Sequence, residues 1–208
     1  MSETIRPMRA ADVAPIVQLS LAAWEPVFRS FERVLGTEIY THIYPDWKTS
    51  QAAAVEAVCT GGTYEVWVAE AAGAVVGFVA CVFREASKTG EVEMLAVHPA
   101  SQNRGIGTRL NGFALDRMRE RGMLLAEVGT GGDPGHAPAR RTYEKAGYTA
   151  LPIVRYYQAL SGEPGESGSA AGSGGSAESG AGGVHGGGQQ AAASSRETSG
   201  QGDRGTTP

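Results

Sequence analysis

Between residues 90 and 122 an apolar strand pattern runs into two glycines and then into an amphipathic helix. This juncture limits the possible folds more than any other stretch of the chain. It is carried by Val97-His98-Pro99-Ala100-Ser101-Gln102-Asn103-Arg104-Gly105-Ile106-Gly107. Residues 90–97 read as a strand, and Ile106, Leu110, Phe113, Ala114 and Met118 then recur at helical spacing until Gly122. Residues 123–128 are again strand-like. A strand, a helix and a strand in that order return to one sheet as a parallel crossover. The strands before it differ: 64–71 and 75–83 flank Ala72-Gly73 and read as an antiparallel hairpin. With a short strand at 4–8, the expectation is an α/β chain with a mixed sheet and helices on both of its faces.

The remaining elements fill this frame. Asp12 offers an N-cap for a helix through Ile16, Leu19 and Ala23. The aromatic-rich stretch 24–44 reads as a second helix or a helix pair. Thr49-Ser50 opens a helix over 51–59 that Gly61-Gly62 ends. A glycine-rich loop at 129–135 precedes a short helix with Pro138 in its first turn and Gly147 just past its end. Residues 151–158 read as a closing strand.

Composition divides the 208 residues at about position 160. Residues 161–208 hold half of all the glycines, and Val184 is their only branched aliphatic residue. Such a segment buries too little apolar surface to offset the entropy of ordering it, so a disordered Gly/Ser/Ala-rich tail is expected after a domain at 1–160. Of 22 acidic and 18 basic residues, five acids (Glu163, Glu166, Glu178, Glu197, Asp203) and two bases (Arg196, Arg204) fall in the tail. The domain keeps 17 and 16 and is nearly neutral. A neutral domain provides no broad footprint for nucleic acid or a membrane, so any anion site must be local. Cys59 and Cys81 lie in apolar runs without metal-ligand spacing. A reducing compartment and a cytoplasmic location are expected, with no metal. The N-terminus has no apolar signal region.

Free amides at a helix start, together with the helix dipole, suit phosphate oxygens. Glycine there lets a pyrophosphate approach the backbone where a Cβ would collide. Arg104 adds a local cation. Two familiar phosphate motifs fail: the dinucleotide fingerprint needs glycine where Leu110 stands, and a P-loop needs Gly-Lys-Ser/Thr. A glycine-permissive helix cap without a ligand remains the plain alternative.

The pattern Gln102-x-x-Gly105-x-Gly107, preceded by Leu95-Ala96-Val97-His98-Pro99, resembles the signature of GNAT acetyltransferases. A second segment, His136-x-x-Ala139-x-x-x-Tyr143-Glu144-Lys145-x-Gly147-Tyr148, is similar to another of that family's motifs, with histidine where asparagine is common. The resemblance spans about 5–160. It implies the GNAT-type fold and acetyl-CoA as co-substrate. It further implies that Asn103, Arg104, Gly105, Ile106, Gly107 and Thr108 cradle the pyrophosphate, and that Gln102 belongs to the coenzyme site. Leu95, Ala96 and Val97 would pair with the pantetheine arm, and His136 and Tyr143 would contact the coenzyme.

Acetyl transfer to an amine needs a neutral amine, a stabilised oxyanion and a proton for the departing sulfur. The resemblance places the general acid at Tyr143, whose alternative is a packing role, and an oxyanion donor at a backbone N–H near Leu95. Glu91 and Glu93 alternate on one strand and share a face. They either take a proton through water, hold a cationic substrate, or simply face solvent. Trp24, Phe28, Phe31, Tyr40, Tyr44 and Trp47 read as an aromatic cluster, mostly core, from which one or two residues wall the acceptor pocket. The leading expectation is an enzyme that acetylates a small-molecule amine by direct attack. Acetylation of a protein N-terminus or lysine, and a non-catalytic acyl-CoA-binding module, are the alternatives. A homodimer is the one assembly carried forward.

Overall fold

The computed structural model describes residues 3–160. The expected tail at 161–208 lies outside the described residues. Five strands form one sheet in the order β1 (Thr4–Pro7), β2 (Glu65–Ala71), β3 (Ala74–Arg84), β4 (Thr89–Val97) and β5 (Leu125–Val128). The first four pair antiparallel, and β4 and β5 pair parallel. Four helices complete the fold: α1 (Val13–Ile43), α2 (Trp47–Thr60), α3 (Ile106–Glu120) and α4 (Ala137–Lys145).

Alternation along the strands divides the apolar residues between two cores. Val66, Val68, Phe78, Ala80, Met94 and Ala96 pack with Ile16 and Leu19 of α1 and with Val55 and Val58 of α2. Trp67, Ala69, Val79, Cys81, Val92 and Val97 pack with Ile106, Leu110, Ala114 and Met118 of α3. Both faces are therefore covered, which is why β3 reads as a nearly continuous apolar run. Leu110 is completely buried, and removing one such side chain from water contributes roughly 1.5–3 kcal/mol.

Local signals set most boundaries. Asp46 caps α2 by accepting from the Thr49 amide at 3.2 Å, so that helix begins earlier than the expected 51. The helix and helix pair expected over 12–44 form one run, interrupted at Gly36, whose φ of 75° and ψ of 158° are not helical.

Two expectations fail. Asp12 sits at the N-cap of α1 without capping it. Its carboxylate instead accepts from Arg6 of β1 at 2.7 and 2.9 Å and from the Arg9 amide at 2.7 Å. A charged donor fork outcompetes a helix amide. Second, 151–158 forms no strand. Leu151, Ile153, Val154 and Tyr156 stay exposed. Alternating branched residues supply a strand-competent face, but a strand exists only through a ladder. Here β5 is four residues long and ends the sheet. Among the described residues no helix is long and apolar enough to cross a membrane.

Candidate active site

The site begins where two parallel strands separate. β4 and β5 pair only from Thr89 opposite Leu125 to Val92 opposite Val128. Beyond that, β4 continues to Val97 while the other chain segment turns away at Gly129. At the point of divergence the β3–β4 register also slips. Ala80 faces Met94 and Cys81 faces Val92, which leaves Glu93 as the extra residue of a β-bulge. Leu95, Ala96 and Val97 remain hydrogen-bonded to β3 on one edge, with no ladder to β5 on the other. A cavity of about 480 Å³ occupies the split, bounded by this edge, the start of α3, and the segment from Val128 through α4.

The loop after β4 is tied back onto it. Gln102 Nε2 donates to the Val97 carbonyl at 3.0 Å. Gly105 is the N-cap of α3 with a φ of 78° and ψ of 6°, a left-handed conformation that glycine adopts without a Cβ penalty. Gly107 is different. A Cβ there would meet Val97 Cγ2 at 3.7 Å and Leu95 Cδ2 at 3.8 Å, ordinary contact distances, and its φ is not left-handed. Neither backbone strain nor protein packing demands glycine at 107, and the residue lines the cavity. A ligand packed closely against the backbone would demand it.

Tyr143 and Glu93 are among the ionisable residues that line the cavity. Tyr143 of α4 is buried, and burial, then the neighbouring Tyr148, pushes its phenol well above the usual range. Glu93 is half-buried; burial and then repulsion from Glu91 raise its carboxyl, against an opposing pull from Arg84. Glu91 is buried, ion-pairs with Arg84, and is not among the cavity-lining residues.

A profile described as the acetyltransferase (GNAT) family matches residues 32–148, more than half of the chain. The chain belongs to the GNAT family. Its similarity to curated relatives is more local. It is 39% identical over 70 residues to a mycothiol acetyltransferase of Sanguibacter keddieii, covering 34% of this chain and 22% of that protein. It is 39% identical over 69 residues to the mycothiol acetyltransferase of Beutenbergia cavernae, covering 33% and 23%. The matched region thus spans less than a quarter of either relative. Among solved structures, PaiA N-acetyltransferase from Thermoplasma acidophilum, in complex with coenzyme A, superposes with a TM-score of 0.56 at 17% identity, covering 74% of this chain and 94% of that one. AAC(6')-Iy in complex with a coenzyme A–acetylneamine bisubstrate analogue gives a TM-score of 0.53 at 18% identity, covering 76% and 98%.

In this GNAT chain every residue expected to hold the coenzyme lines the cavity except Arg104, which is exposed. Of the expected acids only Glu93 lines it. The aromatic residues pack on one another, but only Phe28 is buried rather than most of them as expected: Phe28 stacks on Trp47 with centroids 4.2 Å apart, Phe31 stacks on Tyr44 at 5.5 Å, and Tyr40 leans on Tyr44 at 5.6 Å. Trp24 instead lines the cavity. Sequence reasoning missed Val27 on α1, Arg141 and Lys145 on α4, all of which line the cavity. It also missed Asp133, which pairs with His136, and Ser30, which bonds the Gly135 amide and Asp133. The Asp133-x-x-His136 spacing across Pro134-Gly135 was the available signal, while Ser30 arrives from α1, 105 positions from Gly135, and had none. Among the described residues no group of three or more His, Cys, Asp or Glu is arranged to hold a metal ion.

Proposed function

We propose that this GNAT chain transfers acetyl from acetyl-CoA to the primary amine of a small molecule, by direct attack within a ternary complex. The observation that carries this reading is the bare edge of β4 from Leu95 to Val97, running into a helix start where Gly107 has no protein-internal reason to be glycine. A bare strand edge offers amides and carbonyls to an extended pantetheine-like arm, as a sheet edge does to a peptide. The amides from Asn103 to Thr108 and the α3 dipole suit a diphosphate. When bound there, the coenzyme supplies the activated acyl group as a thioester.

The chain's own residues would do the rest. A backbone amide near Leu95 polarises the acyl oxygen. Tyr143, a phenol that is protonated at neutral pH and lines the cavity, donates to the departing sulfur. Glu93 attracts the cationic amine into the cavity. Cys59 and Cys81 offer no covalent route, because burial pushes their thiols up to about 11 and about 12. A small acceptor is supported by the walls of the cavity, where Trp24 and Val27 of α1 face Glu93 and α4. The names of mycothiol acetyltransferase among the relatives and of the neamine analogue in a structural neighbour point the same way.

Calorimetry on Gly107→Trp tests the reading, because the indole would fill the space in front of the helix start. Acetyl-CoA binding should be lost while the fold is kept, and unchanged affinity in a folded variant rejects the cradle. A panel of primary amines, followed by thiol release and mass spectrometry, then identifies the acceptor.

A further inference from the structure

The loop opposite the β4 edge carries a buried histidine that is held by a carboxylate and packed by an aromatic ring. We propose that His136 is the proton acceptor for the attacking amine, with Asp133 as the residue that positions it; this rests on the acetyl-transfer reading above. His136 is buried and lines the cavity together with Glu93, Trp24 and Tyr143. Its Nδ1 pairs with Asp133 Oδ1 at very short range. An ionised carboxylate only accepts, so the hydrogen belongs on Nδ1 and the basic nitrogen of the neutral ring is Nε2.

The Asp133 side chain is itself only 8% exposed and is satisfied. Its Oδ2 accepts from the Gly135 amide at 2.9 Å, and the same amide reaches Ser30 Oγ at 3.0 Å. Burial pushes the Asp133 carboxyl up, but hydrogen bonds from Ser30 and His136 outweigh it and hold the group below its ordinary value. The anion therefore persists at neutral pH and stabilises the imidazolium that proton transfer creates, the division of labour of a base and its orienting acid. The loop is built around this pair. A Cβ at Gly135 would lie 2.8 Å from Ser30 Cβ and 2.9 Å from Val27 Cα, so glycine is required for the loop to reach α1. Arg140 donates to the Asp133 carbonyl at 2.8 Å. Phe31 packs against the imidazole with centroids 5.5 Å apart. Asp133 also caps the 3-10 turn Pro134–His136 through the Gly135 amide, but His136, at the N-cap of α4, makes no side-chain cap bond, so capping accounts for Asp133 Oδ2 and not for the pairing of Oδ1 with the imidazole.

The step balances. The bound ammonium first loses one proton to solvent; as the neutral amine nitrogen then bonds to the acyl carbon, its second proton passes to Nε2 of His136. The C–S bond breaks, and Tyr143 delivers its phenolic proton to the sulfur. The imidazolium proton returns to the phenolate through solvent, which restores both residues.

The experiment has two arms on the full chain. First, long-range proton–nitrogen NMR of the acetyl-CoA-saturated protein should show His136 protonated at Nδ1 and bare at Nε2 at neutral pH. An Nε2–H tautomer overturns the proposal, whatever the acceptor. Second, with an amine that turns over in the panel, His136→Asn should lower kcat about 10²-fold or more while leaving the acetyl-CoA Kd unchanged. Asn is chosen because it keeps a hydrogen-bonding side chain at this position. Asp133→Asn should lower kcat in the same sense, whereas Glu93→Gln should act chiefly on the amine KM. Wild-type kcat in His136→Asn removes the base and leaves the acetyl-transfer reading standing; failure of the wild-type protein to bind acetyl-CoA sinks that reading instead.

Discussion

Burial raises the proton affinity of both Tyr143 and Glu93, with different consequences. A phenol is already protonated at neutral pH, so the effect makes Tyr143 a weaker acid that gives up its proton only to an anion forming beside it; for a carboxyl it brings protonation closer to neutral pH. Tyr143→Phe removes the donor without opening a cavity. It should retain acetyl-CoA affinity by calorimetry and lower kcat about 10²-fold or more in a thiol-release assay; wild-type turnover would exclude Tyr143 from the chemistry. At this scale the sequence is informative where a residue's role depends on its own backbone. The left-handed cap at Gly105 could be anticipated from two glycines at a helix start. It is uninformative where the role depends on distant partners. Ser30 and Asp133 meet only because α1 passes the 133–136 turn, and no local pattern announces that.

Elements are joined by contacts that spacing does not reveal, and the clasp between β1 and α1 is the clearest. Arg6 bonds Glu70 of β2 at 2.8 Å and both oxygens of Asp12. Arg6 chiefly holds the Asp12 carboxyl well below the usual range, against an opposing push from burial. Since the folded pKa is depressed, this contribution is complete above about pH 4 and disappears as pH falls through the folded value. Asp12→Asn should cost roughly 1.5–3 kcal/mol at pH 7 in urea unfolding, with the gap to wild type narrowing at lower pH. An equal gap at every pH would mean the ion pair is not the cause. The helix and strand periods of α2, α3 and β2 to β4 were legible in sequence, because periodicity directly records which face is buried. The separation of β4 from β5 was not legible. It arises from a bulge at Glu93 and from β5 ending at Val128, and both are properties of pairing between segments.

For the whole molecule, two apolar cores lie on opposite faces of one sheet, and the cavity lies at the sheet's parallel end rather than between domains. Residues 161–208 contribute one branched aliphatic residue to a chain of 208. Truncation after Leu160 should therefore leave the melting temperature and acetyl-CoA affinity unaltered; a large fall in Tm by calorimetric scanning would show that these residues pack on the domain. Sequence by itself determined the two-sided apolar patterning, the order of strands and helices from β1 through α4, and the glycine-bounded helix start. Each of these follows from composition and period within one segment. The tertiary structure alone decided which edge of β4 stays bare, that Glu91 is ion-paired while Glu93 lines the cavity, that 151–158 forms no strand, and that an aspartate locks His136 beside it. Those features depend on which segments become neighbours, and a linear pattern records the face a residue presents but not the partner it meets there.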